Sequence, residues 1–371
     1  MRSVALAAAL ILTACGSSSI HTAQDSISPK ASSPSAETSR PTLGCRLPVA
    51  GLAPDVSEPA RRDVGFVDYP GGALSLDSDG IVYDAATGMF HTINQPYLYG
   101  QDAEAYDAPA HRWVPTTYVL VSPDGSEYAY QAPGVLDAAT QSYGPSSIHV
   151  VQVGTANDRA INSQNAYPVA FEPEGVLIVI STATYGSDPL SPTETLVLLD
   201  PTTGSSRQLM KGSVRWSLAS KGEVFGTDIN PADPRPLIQS PMEPGPSRAP
   251  DRAWRLDTAT GSPVQWLYRP GRLVEVAGLD AGGRLIAIVV GFDKTEVWAL
   301  TGPESGEKVY DGPGHGQADP LGLSGFGVSV PGIADGNRFW LSTSTGIVSY
   351  SSGSGFKLVH GGQAAPAGPC A

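Results

Sequence analysis

The stretch Ser122-Pro123-Asp124-Gly125-Ser126-Glu127-Tyr128-Ala129-Tyr130 joins a tight turn to an alternating strand. Pro pre-sets φ, Asp bonds the backbone of its own turn, and Gly takes positive φ without a steric penalty. The residues before the turn, Val119-Leu120-Val121, and the Tyr-Ala-Tyr after it have the composition of β-strands. The stretch therefore predicts a β-hairpin.

Looser copies of this turn recur along the chain, and each contains a glycine. These glycines are Gly72, Gly125, Gly175, Gly222, Gly283 and Gly336, at intervals of 53, 50, 47, 61 and 53 residues. A second signal, an apolar strand ending in Asp, small residues and usually Gly, falls between consecutive copies. Its clearest examples are Leu198–Gly204 and Arg255–Gly261. Two hairpins in each unit predict four strands per unit, and such units must stack to bury their faces.

Radial stacking of these units predicts an all-β protein, a β-propeller with six four-stranded blades over residues 64–360. An extra hairpin between Gly88 and Trp113 forms either a seventh blade or an insertion in the first unit. The competing architecture, a pair of β-sandwiches, leaves the regular interval unexplained.

The Ser-Pro-Asp-Gly turn and its strand, residues 122–130, resemble the repeat of TolB-like and other WD-repeat-type bacterial propellers. The Asp-x-x-Thr-Gly hairpins resemble the outer hairpins of the same blades. The resemblance covers most of residues 64–360, although no Trp-Asp dipeptide occurs. It implies a fold, and it carries no catalytic residue onto this chain.

The composition agrees with a turn-rich β protein. Among 371 residues there are 42 Gly and 33 Pro, and only 16% are charged. Such a composition excludes a long helical bundle or coiled coil. The 23 Lys and Arg against 36 Asp and Glu give a net charge of −13, which argues against nucleic acid as a partner.

The N-terminus predicts export. Met1-Arg2-Ser3 precedes the apolar run Val4–Leu12, which as a helix would span roughly 14 Å, too short to cross a bilayer. Leu12-Thr13-Ala14-Cys15-Gly16 resembles the lipobox of bacterial lipoproteins, which implies cleavage before Cys15 and a diacylglycerol on its sulfur. The alternative is an ordinary secretory signal. We expect a lipid-anchored protein on the extracytoplasmic face of the cell membrane, because two acyl chains give stable anchoring.

Residues 16–44 contain nine Ser, three Thr, three Pro and no Phe, Trp or Tyr. Such a segment cannot bury enough apolar surface to offset its ordering entropy, so we expect a flexible tether. The sequence thus divides into a signal peptide over residues 1–14, the lipidated Cys15 with its tether over residues 15–44, and a propeller domain over residues 45–371.

Two further cysteines, Cys45 and Cys370, flank the repeats. In an exported protein such a pair is expected to oxidise, and a propeller brings its two ends together. We predict a Cys45–Cys370 disulfide; two free thiols remain the alternative.

The sequence contains no motif that identifies a catalytic, cofactor-binding or metal-binding residue. No His-Glu-x-x-His or Gly-x-Ser-x-Gly occurs, and Ser, His and Asp are too common to propose a triad from their order. His315 lies in the Gly-rich loop Asp311–Asp319 and is either a metal ligand or part of a solvated loop between blades. We favour the solvated loop. Asp77-Ser78-Asp79-Gly80 lacks the glycine and glutamate spacing of a calcium loop and is predicted to be a turn.

Aromatic residues and one long loop are the remaining signals. Trp254, Trp298 and Trp340 lie in predicted strands, which favours packing within blades over a sugar-binding platform. Pro231–Arg252 holds seven Pro and is predicted to be a long loop where a partner docks.

These observations favour a binding or scaffold module for protein, peptide or glycan ligands. The alternative is a propeller enzyme, such as a lyase, hydrolase or quinone-dependent dehydrogenase, with its site at the axial channel and an unknown cofactor. Convergent ionisable groups at one mouth of the channel would favour the enzyme. Fold alone does not decide between the two.

Overall fold

Four-stranded antiparallel sheets recur along the computed structural model of the chain. It describes residues 44–52, 63–77, 81–84, 89–92, 105–132, 136–137, 142–143, 146–155, 157–162, 166–181, 193–232, 249–324, 332–362 and 364–371. Among the described residues, five such sheets and the three-stranded sheet of blade 2 form six blades arranged in a ring, so the predicted six-bladed β-propeller is confirmed. No α-helix occurs in these ranges, and none of their helical turns has the length and apolar character needed to cross a bilayer.

The first part of the chain forms blade 1, two hairpins and blade 2. The strands of blade 1 are β1 Cys45–Leu52, β2 Asp63–Tyr69 and β3 Ala73–Leu76. Two hairpins follow, β4 Ile81–Asp84 with β5 Met89–Thr92, and β6 Ala105–Asp107 with β7 Arg112–Val114. Blade 2 and its small extra hairpin comprise β8 Glu127–Ala132, β9 Leu136–Asp137, β10 Ser142–Tyr143, β11 Ser147–Gln152 and β12 Asp158–Asn162.

Blades 3 to 6 are regular meanders. Blade 3 comprises β13 Ala166–Glu172, β14 Gly175–Ser181, β15 Glu194–Leu199 and β16 Ser206–Gly212. Blade 4 comprises β17 Arg215–Ser220, β18 Glu223–Asp228, β19 Arg252–Asp257 and β20 Ser262–Tyr268. Blade 5 comprises β21 Leu273–Leu279, β22 Leu285–Val290, β23 Lys294–Gly302 and β24 Ser305–Pro313. Blade 6 comprises β25 Ile333–Asp335, β26 Arg338–Thr343, β27 Gly346–Ser351 and β28 Gly355–Gly361, and β29 Ala365–Pro366 follows.

The two ends of the folded region build blade 1 together. β29 pairs with β1 through Val49↔Pro366 and Ala50↔Ala365, so the C-terminus supplies the innermost strand and the N-terminus the next one. A disulfide joins Cys45 to Cys370, with 5.4 Å between their Cα atoms. The ring is therefore closed by backbone pairing and by a covalent bond.

Apolar clusters fill the interface between each pair of neighbouring blades. Phe339 of blade 6 packs with Ile286 and Ile288 of blade 5, for example, and Trp340 packs with Leu47 of blade 1. These side chains are fully buried. One face of each sheet packs against the preceding blade and the other face against the next blade. This explains why both faces of the inner strands are apolar.

The β6–β7 hairpin lies between blades 1 and 2. Its Tyr106 and Trp113 rings pack on Phe66 of blade 1 at centroid distances of 5.1 and 5.8 Å. Its Ala105 and Val114 belong to the apolar cluster of blade 2. The extra hairpin predicted from the sequence is therefore an inserted wedge in a six-bladed ring.

Blade 2 differs from the sequence prediction at its inner edge. In place of a strand over Val119–Val121, the chain forms the 3-10 turn Tyr118–Leu120 followed by a single bridge, Val121↔Tyr128. The hydroxyl of Thr116 donates to the carbonyl of Ala129 over 2.7 Å and occupies a backbone acceptor on β8. A side chain thus replaces part of the inner ladder.

Candidate functional site: an acidic groove on the turn face

The tight turns of the blades lie at one end of the propeller, which we call the turn face. Strands one and two of a blade, and strands three and four, are joined there, because consecutive strands run antiparallel. The six predicted turn glycines all have positive φ, from 58° at Gly336 to 142° at Gly175. At Gly175 a Cβ atom would lie 2.3 Å from the carbonyl oxygen of Leu199, so only glycine fits.

A groove of about 560 Å³ opens on the turn face between blades 2 and 3. Turns from both blades line it, and five of the lining residues carry carboxylates: Asp124, Glu127, Glu172, Glu174 and Asp200. None of its lining residues, all within the described ranges, is Lys, Arg or His. The groove is therefore a concentrated acidic site on an already acidic protein.

Asp124 is held ionised by the Ser-Pro-Asp-Gly turn itself. Its Oδ1 accepts hydrogen bonds from the hydroxyl of Ser122 at 2.7 Å and from the amide and hydroxyl of Ser126 at 3.0 and 2.8 Å. These donors lower the pKa of the Asp124 carboxyl to about 2. The turn that marks the repeat thus also presents a permanent negative charge.

Asp200 has the same role in the outer turn of blade 3. The hydroxyl of Thr203 donates to its Oδ2 over 2.6 Å, and the amide of Thr202 donates to its Oδ1 over 2.7 Å. These bonds lower the pKa of the Asp200 carboxyl below its ordinary value. The second turn signal of the sequence therefore supplies a second ionised carboxylate to the groove.

Glu172 is the buried carboxylate of the groove. Its Oε2 accepts a hydrogen bond from the amide of Gly222, a turn residue of blade 4, at 2.9 Å. Burial raises the pKa of the Glu172 carboxyl, the Gly222 bond opposes that rise, and the charge of Glu174 adds to it. Glu172 thus links blades 3 and 4 beneath the exposed carboxylates.

The apolar lining of the groove comes from Pro123, Pro173, Pro201 and Phe171. Each proline belongs to a different turn, so the walls are rigid. Arg159 of β12 lies at the rim and donates from its guanidinium to the carbonyl of Pro201. Sequence reasoning treated Asp124 and Asp200 as turn residues only and did not place them in a site. Because their convergence depends on how blades 2 and 3 pack, the turn motifs by themselves do not reveal it.

A second polar cluster joins Tyr167 on β13, the inner strand of blade 3, to Glu194 on β15, with Arg215 of blade 4 nearby. The Tyr167 hydroxyl donates to Oε1 of Glu194 over 3.1 Å, and Glu194 is buried. Burial raises the pKa of the Glu194 carboxyl, while the bond from Tyr167 and the charge of Arg215 oppose that rise. The registers align Tyr167, Arg215 and Glu275 as equivalent positions of three successive inner strands, two residues before a bulge in each.

Cys45, Cys370 and Asp335 are the one group of potential metal-ligand atoms that the described residues bring within 4.8 Å of one another. The two sulfur atoms are joined to each other, and Oδ2 of Asp335 accepts the amide of Cys370 over 3.0 Å. The group therefore fastens the C-terminus to blade 6.

The Gly-rich loop around His315 connects blades 5 and 6. The amide of His315 donates to the carbonyl of Gly291, and Asp319 accepts the amides of Leu321 and Ser324. Asp311 pairs with Lys308. The two carboxylates thus bond groups of their own loop and strand and do not converge on His315. In the predicted turn after β3, Oδ2 of Asp77 accepts the indole N–H of Trp113, and residues 78–80 lie outside the described ranges.

Trp254, Trp298 and Trp340 lie in blade strands, as the sequence indicated, whereas Trp113 lies on the inserted hairpin. All six lie in the described part of the chain and none is exposed. Trp254 and Trp298 donate their indole N–H to Asp228 and Glu296. Residues 233–248 of the Pro-rich loop, and the whole of residues 1–43 with Cys15, lie outside the described ranges.

Solved structures with a similar chain trace exist, whereas no protein-family model and no curated protein matches the chain. An oligogalacturonate lyase in complex with manganese has a TM-score of 0.46 and 10% identity, over 81% of this chain and 74% of that one. The oligogalacturonate lyase of Vibrio parahaemolyticus has a TM-score of 0.42 and 9% identity, over 86% and 79%. TolB from Acinetobacter baumannii has a TM-score of 0.40 and 14% identity, over 84% and 62%. At these identities the activities of the neighbours say nothing about this chain.

Proposed function

We propose that this protein is a lipid-anchored, extracytoplasmic β-propeller that binds a cationic segment of a protein or peptide partner in its acidic groove. The groove, with five carboxylates and no basic lining residue, is the observation that carries the proposal. The apolar run Val4–Leu12 and the lipobox-like residues ending at Cys15 support the anchor. The Ser-rich tether supports display of the propeller away from the membrane surface.

The charges of the groove favour a partner with several Lys or Arg. An exposed ion pair contributes about 0–1 kcal/mol, so a single cation gains little and several together give affinity. The net charge of −13 adds a long-range attraction that increases the association rate of a cationic partner. Binding should therefore weaken as salt is added, because these charges are exposed.

The apolar walls suit the stems of the same side chains. Lys and Arg lay their methylene groups along apolar surface while their charged ends remain hydrated. Pro123, Pro173 and Pro201 offer such surface next to the carboxylates of Asp124 and Asp200. A glycan ligand has less support, since each tryptophan is at least half-buried and offers no open stacking platform.

Fluorescence anisotropy with a labelled octalysine peptide tests the proposal on the full-length protein. Glu174→Lys reverses one exposed charge of the groove, and Glu307→Lys on blade 5 changes the net charge equally far from it. We expect Glu174→Lys to weaken binding by roughly 5- to 30-fold, from a loss and a reversal of about 1 kcal/mol each. Glu307→Lys should have a much smaller effect. Equal effects of the two variants would show that the peptide responds to net charge alone. Pull-down from solubilised membranes, with Glu174→Lys as the negative bait, would then identify the partner.

The Tyr167–Glu194 pair is the observation that favours the enzyme alternative. A buried carboxyl with a raised pKa, bonded to a tyrosine and close to Arg215, is the kind of group that acts as a general acid. In this alternative the substrate enters the axial channel. Glu194→Gln would then abolish turnover without changing octalysine binding.

A further inference from the structure

Three polar side chains on the outer strands of blade 2 form a continuous hydrogen-bonded chain. The Oγ of Ser147 lies 2.9 Å from Nε2 of His149, and Nδ1 of His149 lies 2.9 Å from each carboxylate oxygen of Asp158. This order, hydroxyl to imidazole to carboxylate with one ring nitrogen on each side, is the arrangement that activates a serine for nucleophilic attack. We propose that Ser147 is a nucleophile, with His149 as its general base and Asp158 as the residue that positions the imidazole.

The sheet register explains why the three side chains meet. Ser147 and His149 are two residues apart on β11 and therefore share one face of the sheet. Asp158 on β12 is opposite Val151, two register positions beyond the His149↔Ala160 pair, which places it on the same face. The contact is thus a product of the hairpin joining β11 to β12.

Tyr130 fixes the imidazole from the other side. It is the cross-strand partner of His149 on β8, and the two rings stack at 4.7 Å with an interplanar angle of 16°. Its hydroxyl donates to Oδ2 of Asp158 over 3.3 Å. Two contacts with one tyrosine therefore hold both the ring of His149 and the carboxylate that orients it, as a preorganised site requires.

The histidine and carboxylate of the proposed triad are partly exposed. Ser147 is opposite Ala132 on β8 and Asn162 on β12, and His149 is opposite Tyr130 on β8 and Ala160 on β12. The His149 side chain keeps 17% of its surface exposed, and that of Asp158 keeps 35%. This limited exposure suits a small, unhindered carboxylic ester.

The reaction balances with water as the other reactant. Ser147 Oγ attacks the ester carbonyl carbon while its proton passes to His149 Nε2. The C–O bond of the ester breaks, and the alcohol leaves with that proton. Water, deprotonated by His149, then attacks the acyl-serine and releases the carboxylic acid, which restores the Ser147 hydroxyl. Asp158 holds the imidazolium that forms in both steps, as the carboxylate does in this type of triad.

A fluorophosphonate probe, which phosphonylates activated serines, tests the proposal on the full-length wild-type protein. Peptide mass spectrometry should locate the label on Ser147. The protein should also hydrolyse p-nitrophenyl acetate, and the variants that slow labelling should slow this hydrolysis as well. His149→Ala should slow labelling by roughly 10²- to 10⁴-fold, the usual contribution of a general base. Tyr130→Phe should slow it less. Ser206→Ala, at an exposed serine on the outer strand β16 of blade 3, is the matched control and should leave labelling unchanged.

Two outcomes would overturn the proposal. One is an unlabelled Ser147 in wild-type protein under conditions that label a known serine hydrolase. The other is labelling of Ser147 at the same rate in wild type and in a His149→Ala variant whose thermal melt matches wild type. The acidic groove plays no part in either measurement, so failure here leaves octalysine binding untouched.

Discussion

The guanidinium of Arg207, on the outer strand of blade 3, donates over 3.1 Å to the backbone carbonyl of Thr258 in the outer turn of blade 4. The same relation recurs between other neighbours. Arg159 reaches the carbonyl of Pro201, and Arg269 reaches Glu304 in the outer turn of blade 5. Arg112, on the inserted hairpin, bonds the carbonyl of Val153 in the outer turn of blade 2 over 2.8 Å. Arginines on or directly after an outer strand thus tie blades 2, 3 and 4 to the outer turn of the next blade, and Arg112 ties the inserted hairpin to blade 2.

Arg207→Ala should lower the free energy of unfolding by about 0.5–1.5 kcal/mol, because it removes one hydrogen bond from a charged donor at an exposed position. Urea unfolding measures the change. Lys211→Ala, at an exposed position on the same strand, is the control and should be neutral. A neutral Arg207→Ala would show that the bond between blades contributes nothing.

Gly125→Val should destabilise the propeller by about 1–3 kcal/mol through backbone strain at a φ of 71°. A Cβ there would also lie 2.6 Å from Oδ1 of Asp107, so a side-chain clash adds to the strain. Gly283→Val is the matched control: its φ is 75°, and nothing lies within 4 Å of its added Cβ. Thermal melts should therefore rank Gly125→Val below Gly283→Val, and both below wild type. Identical melts for all three would contradict the assigned turns.

Replacing both Cys45 and Cys370 by Ser should lower stability by about 2–5 kcal/mol, because the reduced chain regains the entropy of a very long loop. The double variant avoids leaving a single reactive thiol. Mass spectrometry of non-reduced peptides checks the bond directly. Two alkylatable thiols on the purified wild-type protein would argue against the Cys45–Cys370 disulfide.

Glu194 should make stability depend on pH in a definite direction. Burial raises its pKa in the folded state above the ordinary value of 4.5, so ionisation opposes folding. The free-energy cost of burying the ionised Glu194 is present at neutral pH. It is relieved as the pH falls through the raised pKa towards 4.5, because the carboxyl becomes protonated. Denaturant unfolding at pH 7 and pH 5 should show wild type gaining stability relative to Glu194→Gln at the lower pH. If the stability difference between wild type and Glu194→Gln is the same at both pH values, the pKa of Glu194 is not raised.

If the proposed anchor is correct, Cys15→Ser should move the protein from the membrane fraction to the medium, or leave it uncleaved, because serine has no sulfur to carry the thioether-linked lipid. Cell fractionation with immunoblotting measures this. A variant that remains in the membrane fraction at mature size would exclude the lipobox interpretation of residues 12–16.

Local chemistry made the fold predictable from sequence. The turn at Ser122–Gly125 depends on hydrogen bonds between residues at most five positions apart and on one positive φ, so the sequence contains all its determinants. Where a distant group intervened, the prediction was wrong: Thr116 bonds Ala129 and replaces the inner strand expected at Val119–Val121. The Cys45–Cys370 disulfide was predictable from the sequence because a propeller must bring its two ends together.

The sequence by itself determined the repeat length, the hairpin turns, the acidic charge and the positions of Cys45 and Cys370 at the two ends of the repeats. Each is a property of a short segment or of the whole composition. The tertiary structure alone decided that Asp124, Glu172 and Asp200 share one groove, that the β6–β7 hairpin wedges between blades 1 and 2, and that Tyr130 and Asp158 both hold His149. These relations join residues that are far apart in the chain or on different strands. They depend on strand register and on the angle between packed sheets, which many distant apolar contacts set together.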